Sequence, residues 1–144
     1  MIAGFALLLA GASVPALSAT PEEAKALCQK AAALVESEGE AAFPKISDQS
    51  GGFLQGELGV TVIDKKGVVR ASYLPKLIGV DTWEIVDPDG VKFGQDGIKL
   101  AETAGSGWLH FKNVNPVSRK IEPKVAWIQK AGDFVVFAAT PVHQ

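Results

Sequence analysis

Cysteine, histidine, methionine and tyrosine are almost missing from this chain, and each shortage closes off a class of function. Among its 144 residues there is one cysteine, Cys28, which excludes an intramolecular disulfide and a four-cysteine metal site. Stability must then come from a packed core, and Cys28, on the apolar side of an expected helix, reads as a buried, inert thiol. The two histidines are His110, in an expected strand, and His143, one residue from the end, with no spacing that makes a metal pair. An excess of charge is also lacking. With 14 basic against 16 acidic residues the formal charge is -2, and the basic pairs Lys65-Lys66 and Arg119-Lys120 are scattered, so nucleic acid is not an expected partner. GxSxG, HExxH and P-loop patterns are absent. Asp87-Pro88-Asp89-Gly90 opens like a calcium loop, but Val91 and Ile98 stand at its fifth and twelfth positions, where oxygen ligands are required, and it reads as a turn. No catalytic set, metal or cofactor is expected.

Charge vanishes altogether from Ile2 to Ala19, an apolar stretch that decays into small residues and a proline. This reads as a signal peptide over residues 1–19, with cleavage after Ala19 preferred to cleavage after Ala16, and an uncleaved membrane anchor as the alternative. The mature domain is then residues 20–144, in the periplasm or secreted. Its composition, 47% hydrophobic and 21% charged over the whole chain, suits one ordinary globular domain.

Thr20-Pro21-Glu22-Glu23 combines a capping residue, a proline at the first helical position and a glutamate three residues after the cap, a helix start with a stated mechanism. Ala24, Leu27, Cys28, Ala31, Leu34 and Val35 repeat at helical spacing up to Gly39, so one stripe must be covered. A shorter helical piece follows over 40–46. From Leu58 the period falls to two, with Leu58, Val60 and Val62 on one side and Thr61 and Ile63 on the other. Asp64-Lys65-Lys66-Gly67 turns the chain into a hairpin with 68–73. A further unit over Trp83 to Val86 ends at the Asp87–Gly90 turn, and Phe93, Gly97, Leu100, Ala101 and Ala104 predict a helix stopped by Gly105. Three strands, 108–112, 123–130 and 134–140, complete an α+β domain with an antiparallel sheet covered on one face by the long N-terminal helix.

The pieces GVTVIDKKG (59–67), LPKLIG (74–79), DPDG (87–90), GSGWLHFKNVNP (105–116) and KVAWI (124–128), in this order and spacing, resemble the single Cache family. So do GEAAFPKI (39–46) and SGGF (50–53), which extends the resemblance over nearly all of the mature chain. The resemblance implies an extracytoplasmic sensing domain, a long N-terminal helix on a PAS-like antiparallel sheet, and a small ligand, often an organic acid, held on that sheet. Two departures bear on the ligand rather than the fold: Ser72 replaces a histidine common after the first hairpin, and Asn113 replaces a second aromatic residue.

A small anion needs a fixed cation, a few donors and an aromatic wall. Lys124 shares a strand face with Ala126 and Ile128, where a lysine either snorkels to solvent or faces a carboxylate, and the resemblance favours it as the counter-ion. Arg70 is the second candidate cation. Trp108 and His110 share one face of their strand, Tyr73 reaches from the hairpin, and Trp127 joins Trp108 as an aromatic wall, core packing being the competing reading for both tryptophans. His110 reads equally as an exposed strand residue. The expectation is a non-enzymatic binder of a small metabolite that signals through a membrane-bound partner. The rival is an accessory module that covers another exported protein with the same sheet.

Overall fold

The first helix, α1 (Pro21–Glu38), begins as its first four residues require. Thr20 Oγ1 accepts from Glu23 N at 3.2 Å, and Glu23 Oε1 accepts from Thr20 N at 2.9 Å, so two of the amide groups that a helix start leaves unpaired are satisfied reciprocally. The computed structural model describes residues 19–115 and 118–142. The expected signal peptide, apart from Ala19, and His143 lie outside them. At Gly39 the chain tightens into a short 3-10 turn and continues as α2 (Ala42–Ser47).

A six-stranded antiparallel sheet follows: β1 (Leu54–Gln55), β2 (Leu58–Asp64), β3 (Val69–Ser72), β4 (Ser106–Val114), β5 (Ile121–Ala131) and β6 (Phe134–Pro141). β2 pairs with β6, β6 with β5, and β5 with β4, while β1 and β3 share the outer edge of β2. Between β3 and β4 the chain makes a 3-10 turn at Pro75–Leu77, a long strap, and α3 (Phe93–Ala104). The expected unit at Trp83–Val86 forms no strand. The strap is held instead alongside β3, by Val80 O accepting from Val69 N and by Thr82, whose N and Oγ1 both donate to Gly67 O.

Alternation along the strands builds two separate cores. On one face α1 lays Ala24, Leu27, Cys28, Ala31 and Val35 against Val60, Val62, Trp127, Val136 and Ala138. This face is filled. Cys28 lies fully buried in it, its Sγ donating to Trp127 O and Val136 O at 3.4 and 3.3 Å, and burial pushes its pKa far up despite a lowering backbone contact at Ala138. On the other face α3 covers Ile63, Phe111, Ala126, Ile128 and Val135 with Ile98 and Ala101. Ala104, expected on the apolar stripe, is exposed, whereas Ile98 is buried. Gly97 lets the Phe137 ring press against the helix backbone, where a Cβ would collide with it.

A cavity on the face opposite the long helix

α3 covers only part of its face. Beyond it, the sheet and the strap enclose a cavity of about 260 Å³. Gly59, Thr61 and Ile63 of β2, Phe137 and Ala139 of β6, and Lys124 of β5 form its floor, with Phe111 and Asn113 on the β4 side. Leu74, Leu77, Val80, Thr82 and Ile85 form its roof, and Phe93 and Gly94 close it at the start of α3.

The strand register gives the cavity two chemically different ends. Lys124 lies opposite Phe111 on one side and Pro141 on the other, and Asn113 is two residues farther along β4 on the same face. Tyr73 leans over Gly59, whose missing side chain is what allows the ring to lie against β2. Lys124, Tyr73 and Asn113 thus gather toward one end. Toward the other, successive rows of the floor carry Phe137 and Ile63, under Val80 and Leu77. The polar atoms there are already engaged: Thr82 Oγ1 donates to Gly67 O at 2.6 Å, and Thr61 and Ser72 share a hydroxyl contact at 3.3 Å.

Lys124 is 6% exposed. Among the described residues its ammonium makes no hydrogen bond and no ion pair within 4 Å, although Glu122 and Glu57 act on it from farther away. Burial lowers its pKa below the ordinary 10.5, and these two carboxylates offset only part of that. The ammonium itself opens to the cavity, and a cation so placed, largely out of water and without a close counter-ion, favours an anion in front of it. Burial likewise raises the Tyr73 pKa, helped by the charge of Glu57, so the phenol remains a neutral donor. Asn113 Oδ1 accepts from Val114 N at 2.8 Å, which leaves its amide N–H groups to donate. The arrangement offers one positive charge and two neutral donors to an anion, and holds no nucleophile paired with a base.

Asp87 fastens the strap to the sheet. Its Oδ1 accepts from Asp89 N and Val91 N at 2.9 and 2.8 Å, and its Oδ2 accepts from Lys112 N of β4 at 2.7 Å. Burial pushes its pKa up, but the amides of Val91, Lys112 and Asp89 and the Lys112 charge together hold it below the ordinary carboxylate value. The DPDG turn is therefore a structural clamp.

Of the six candidate residues, Lys124 and Tyr73 line the cavity. The other four lie on the helix side of the sheet. Trp108 packs edge-on against Trp127 with ring centroids 4.8 Å apart, Trp127 carries Lys25 over its ring at 4.4 Å, and its Nε1 donates to Gln129 Oε1. Trp108 and His110 border a shallow hollow beside Pro21 and Glu22. Arg70 is neutralised by Glu40 at 2.5 Å and Asp64 at 3.6 Å and lies over the Phe43 and Phe134 rings. The expected grouping of Arg70, Trp108 and His110 with Lys124 is thus not what the fold brings together. The reason is parity: in the β4–β5 register Trp108 lies opposite Trp127 and His110 opposite Val125, whereas Lys124 lies opposite Phe111. Phe111 and Phe137 were missed as wall residues, and Asn113, noted only as a departure bearing on the ligand, lines the cavity with them. Alternation along β4 and β6 was their signal, and it needed the pairing with β5 to become readable.

Comparison with known proteins agrees with this architecture. The family model described as Single Cache domain 2 matches residues 14–134. Among solved structures, a methyl-accepting chemotaxis protein from Vibrio parahaemolyticus RIMD 2210633 superposes with a TM-score of 0.70 at 17% identity, covering 83% of this chain and 86% of the other. A periplasmic sensor domain of a chemotaxis protein gives 0.65 at 22% identity, covering 85% and 90%. A Cache chemosensory domain, described for its carboxylic acid recognition, gives 0.66 at 19% identity, covering 85% and 88%. No curated protein matches the sequence. With the family model spanning most of the chain and the sheet, helix and cavity arranged as described, this protein belongs to the single Cache domain family.

Proposed function

We propose that this domain is an extracytoplasmic sensor that binds a small organic acid in the cavity beneath the strap, with Lys124 countering the carboxylate and Tyr73 and Asn113 donating to it. The observation that carries this reading is Lys124: a lysine 6% exposed, lining a cavity of about 260 Å³, with no ion pair within 4 Å among the described residues and only Glu57 and Glu122 acting on it from farther away. An incoming carboxylate would supply the missing counter-charge and turn a cost of folding into affinity. Carboxylic acid recognition by a Cache chemosensory domain of similar fold supports the same class of ligand. The domain binds without turnover and passes occupancy to a membrane-bound signalling partner, with export directed by the apolar segment over residues 1–19. No helix among the described residues is long and apolar enough to cross a membrane.

A thermal-shift screen of residues 20–144 against short carboxylates and amino acids, followed by calorimetry, tests the reading. A ligand held by the native state raises Tm by mass action, and Lys124→Met abolishes that rise. A response that survives Lys124→Met removes the charge assignment. A flat panel removes the sensor reading and favours the accessory module, whose contact surface would then be the exposed apolar strap of Ile78, Trp83, Ile85 and Val86.

A further inference from the structure

Resting on the acid-binding reading, we infer that the cavity selects singly charged carboxylates with an apolar tail of about three to seven carbons and rejects dicarboxylates and amino acids of the same length. Three observations carry this. First, the charges are one-sided: Lys124 is the only Lys or Arg lining the cavity among the described residues, and no Asp or Glu lines it. Glu57 and Glu122 approach Lys124 from outside that lining, so the walls themselves offer one cation for a carboxylate and no carboxylate to pair directly with an ammonium.

Second, the far end is carbon. Ile63, Val69, Leu77, Val80, Phe93 and Phe137 surround it, and of the two hydroxyls in that region Thr82 Oγ1 donates to Gly67 O while Thr61 Oγ1 shares one hydrogen bond with Ser72 Oγ. A second carboxylate there would lose its water without gaining a cation, whereas each methylene would tighten binding about fourfold. Third, the dimensions suit a tail. The floor from Gly59 to Ile63 advances four residues, about 13 Å at the rise of a strand, and the volume of about 260 Å³ lies just under the size of pockets that hold drug-sized molecules. Acetate would leave most of this wall untouched.

Calorimetry with propionate, hexanoate, adipate and norleucine on the same protein decides the matter. Hexanoate is expected to bind at least about tenfold more tightly than each of the other three. Val80→Phe, which plugs the far end, is expected to weaken hexanoate at least about tenfold and to leave propionate within about threefold. Ile85→Phe, on the half-exposed rim, serves as the second variant should Val80→Phe not unfold cooperatively. Adipate or norleucine binding within about threefold of hexanoate, propionate binding more tightly than hexanoate, or an equal effect of the plug on both acids would overturn the tail assignment and leave acid binding at Lys124 standing. Failure of all four ligands to bind would remove the acid-binding reading itself.

Discussion

Arg70 and Lys124 are both partly or wholly buried cations on the same sheet, and their surroundings differ in every respect. Arg70, on the α1 side, has two carboxylates and two aromatic rings around its guanidinium. Lys124, on the opposite side, has a cavity in front of it and no close counter-charge among the described residues. The same contrast holds for the faces as a whole. The α1 face is packed solid with aliphatic side chains, a tryptophan and a buried thiol, while the α3 face stops short of its sheet and leaves the remainder to a strap with exposed apolar residues. One face of the sheet supplies stability, and the other gives up packing for a binding space.

Truncation on the two faces would expose that division most strongly. Leu58→Ala, at a fully buried position under α1, is expected to reduce the unfolding free energy by about 3 kcal/mol. Leu77→Ala, on the strap and 37% exposed, is expected to stay within about 1 kcal/mol. Urea unfolding at constant m-value measures both, and equal losses would contradict the proposed inequality of the faces.

Exchanging each cation for methionine sharpens the comparison. Lys124→Met is expected to weaken a bound carboxylate at least about tenfold, the loss of a charge-assisted contact, while Tm holds or rises because an uncompensated buried charge is removed. Arg70→Met should leave ligand affinity within about twofold and cost at most about 1 kcal/mol of stability, since its ion pairs are partly exposed. Calorimetry and thermal melts on the two variants read both quantities; a Tm loss in Lys124→Met larger than that in Arg70→Met would reverse the assignment.

The pH dependence follows from the direction of the Lys124 shift. Its pKa in the folded protein lies below 10.5, so the unfolded chain binds more protons between the two values and stability gains from this group as pH rises through the folded pKa. Carboxylate affinity runs the opposite way: it is full where the ammonium is charged and falls as pH rises through that lowered pKa, with proton uptake on binding in the same window. Calorimetry in two buffers of different ionisation enthalpy detects that uptake, and a pH-independent affinity up to 10.5 would contradict it. Asp87 titrates at the other extreme. With its folded pKa depressed, its clamp is intact above the ordinary carboxylate value and is lost as pH falls through the lower one, so Asp87→Asn is expected to flatten the acid limb of a Tm-against-pH curve.

A last expected effect concerns the cavity floor. Gly59→Ala would drive a methyl group into the Tyr73 ring, moving the phenol away from β2. A severalfold loss of ligand affinity with a modest Tm decrease is expected, and the ring NMR signals of the one tyrosine of the chain would report the displacement.

How much of this was legible in advance depended on whether the deciding signal was local. The capping box at Thr20 and Glu23, the helical stripe from Ala24 to Val35, the stop at Gly105 and the period-two run of β2 all act within a few residues, and all lie where the sequence pattern places them. The antiparallel, helix-covered sheet followed from the order of those elements. Grouping Lys124 with Trp108, His110 and Arg70 required knowledge of which residues face each other across strands, and composition carries no such information. Trp83–Val86 likewise has the residues of a strand, yet its backbone contacts are local turns and a bond from Gln95 Nε2 of α3 to Trp83 O.

Local periodicity and capping chemistry therefore determined the elements and their buried stripes, because those preferences arise between residues a turn or two apart. Tertiary structure alone decided which side of the sheet stayed open and which cation has no close counter-ion among the described residues. A shift of register by one residue reverses every side chain of a strand, and it is the pairing of β5 with β4 and β6, set by contacts far apart in the chain, that turns Lys124 toward the cavity and Trp127 toward α1.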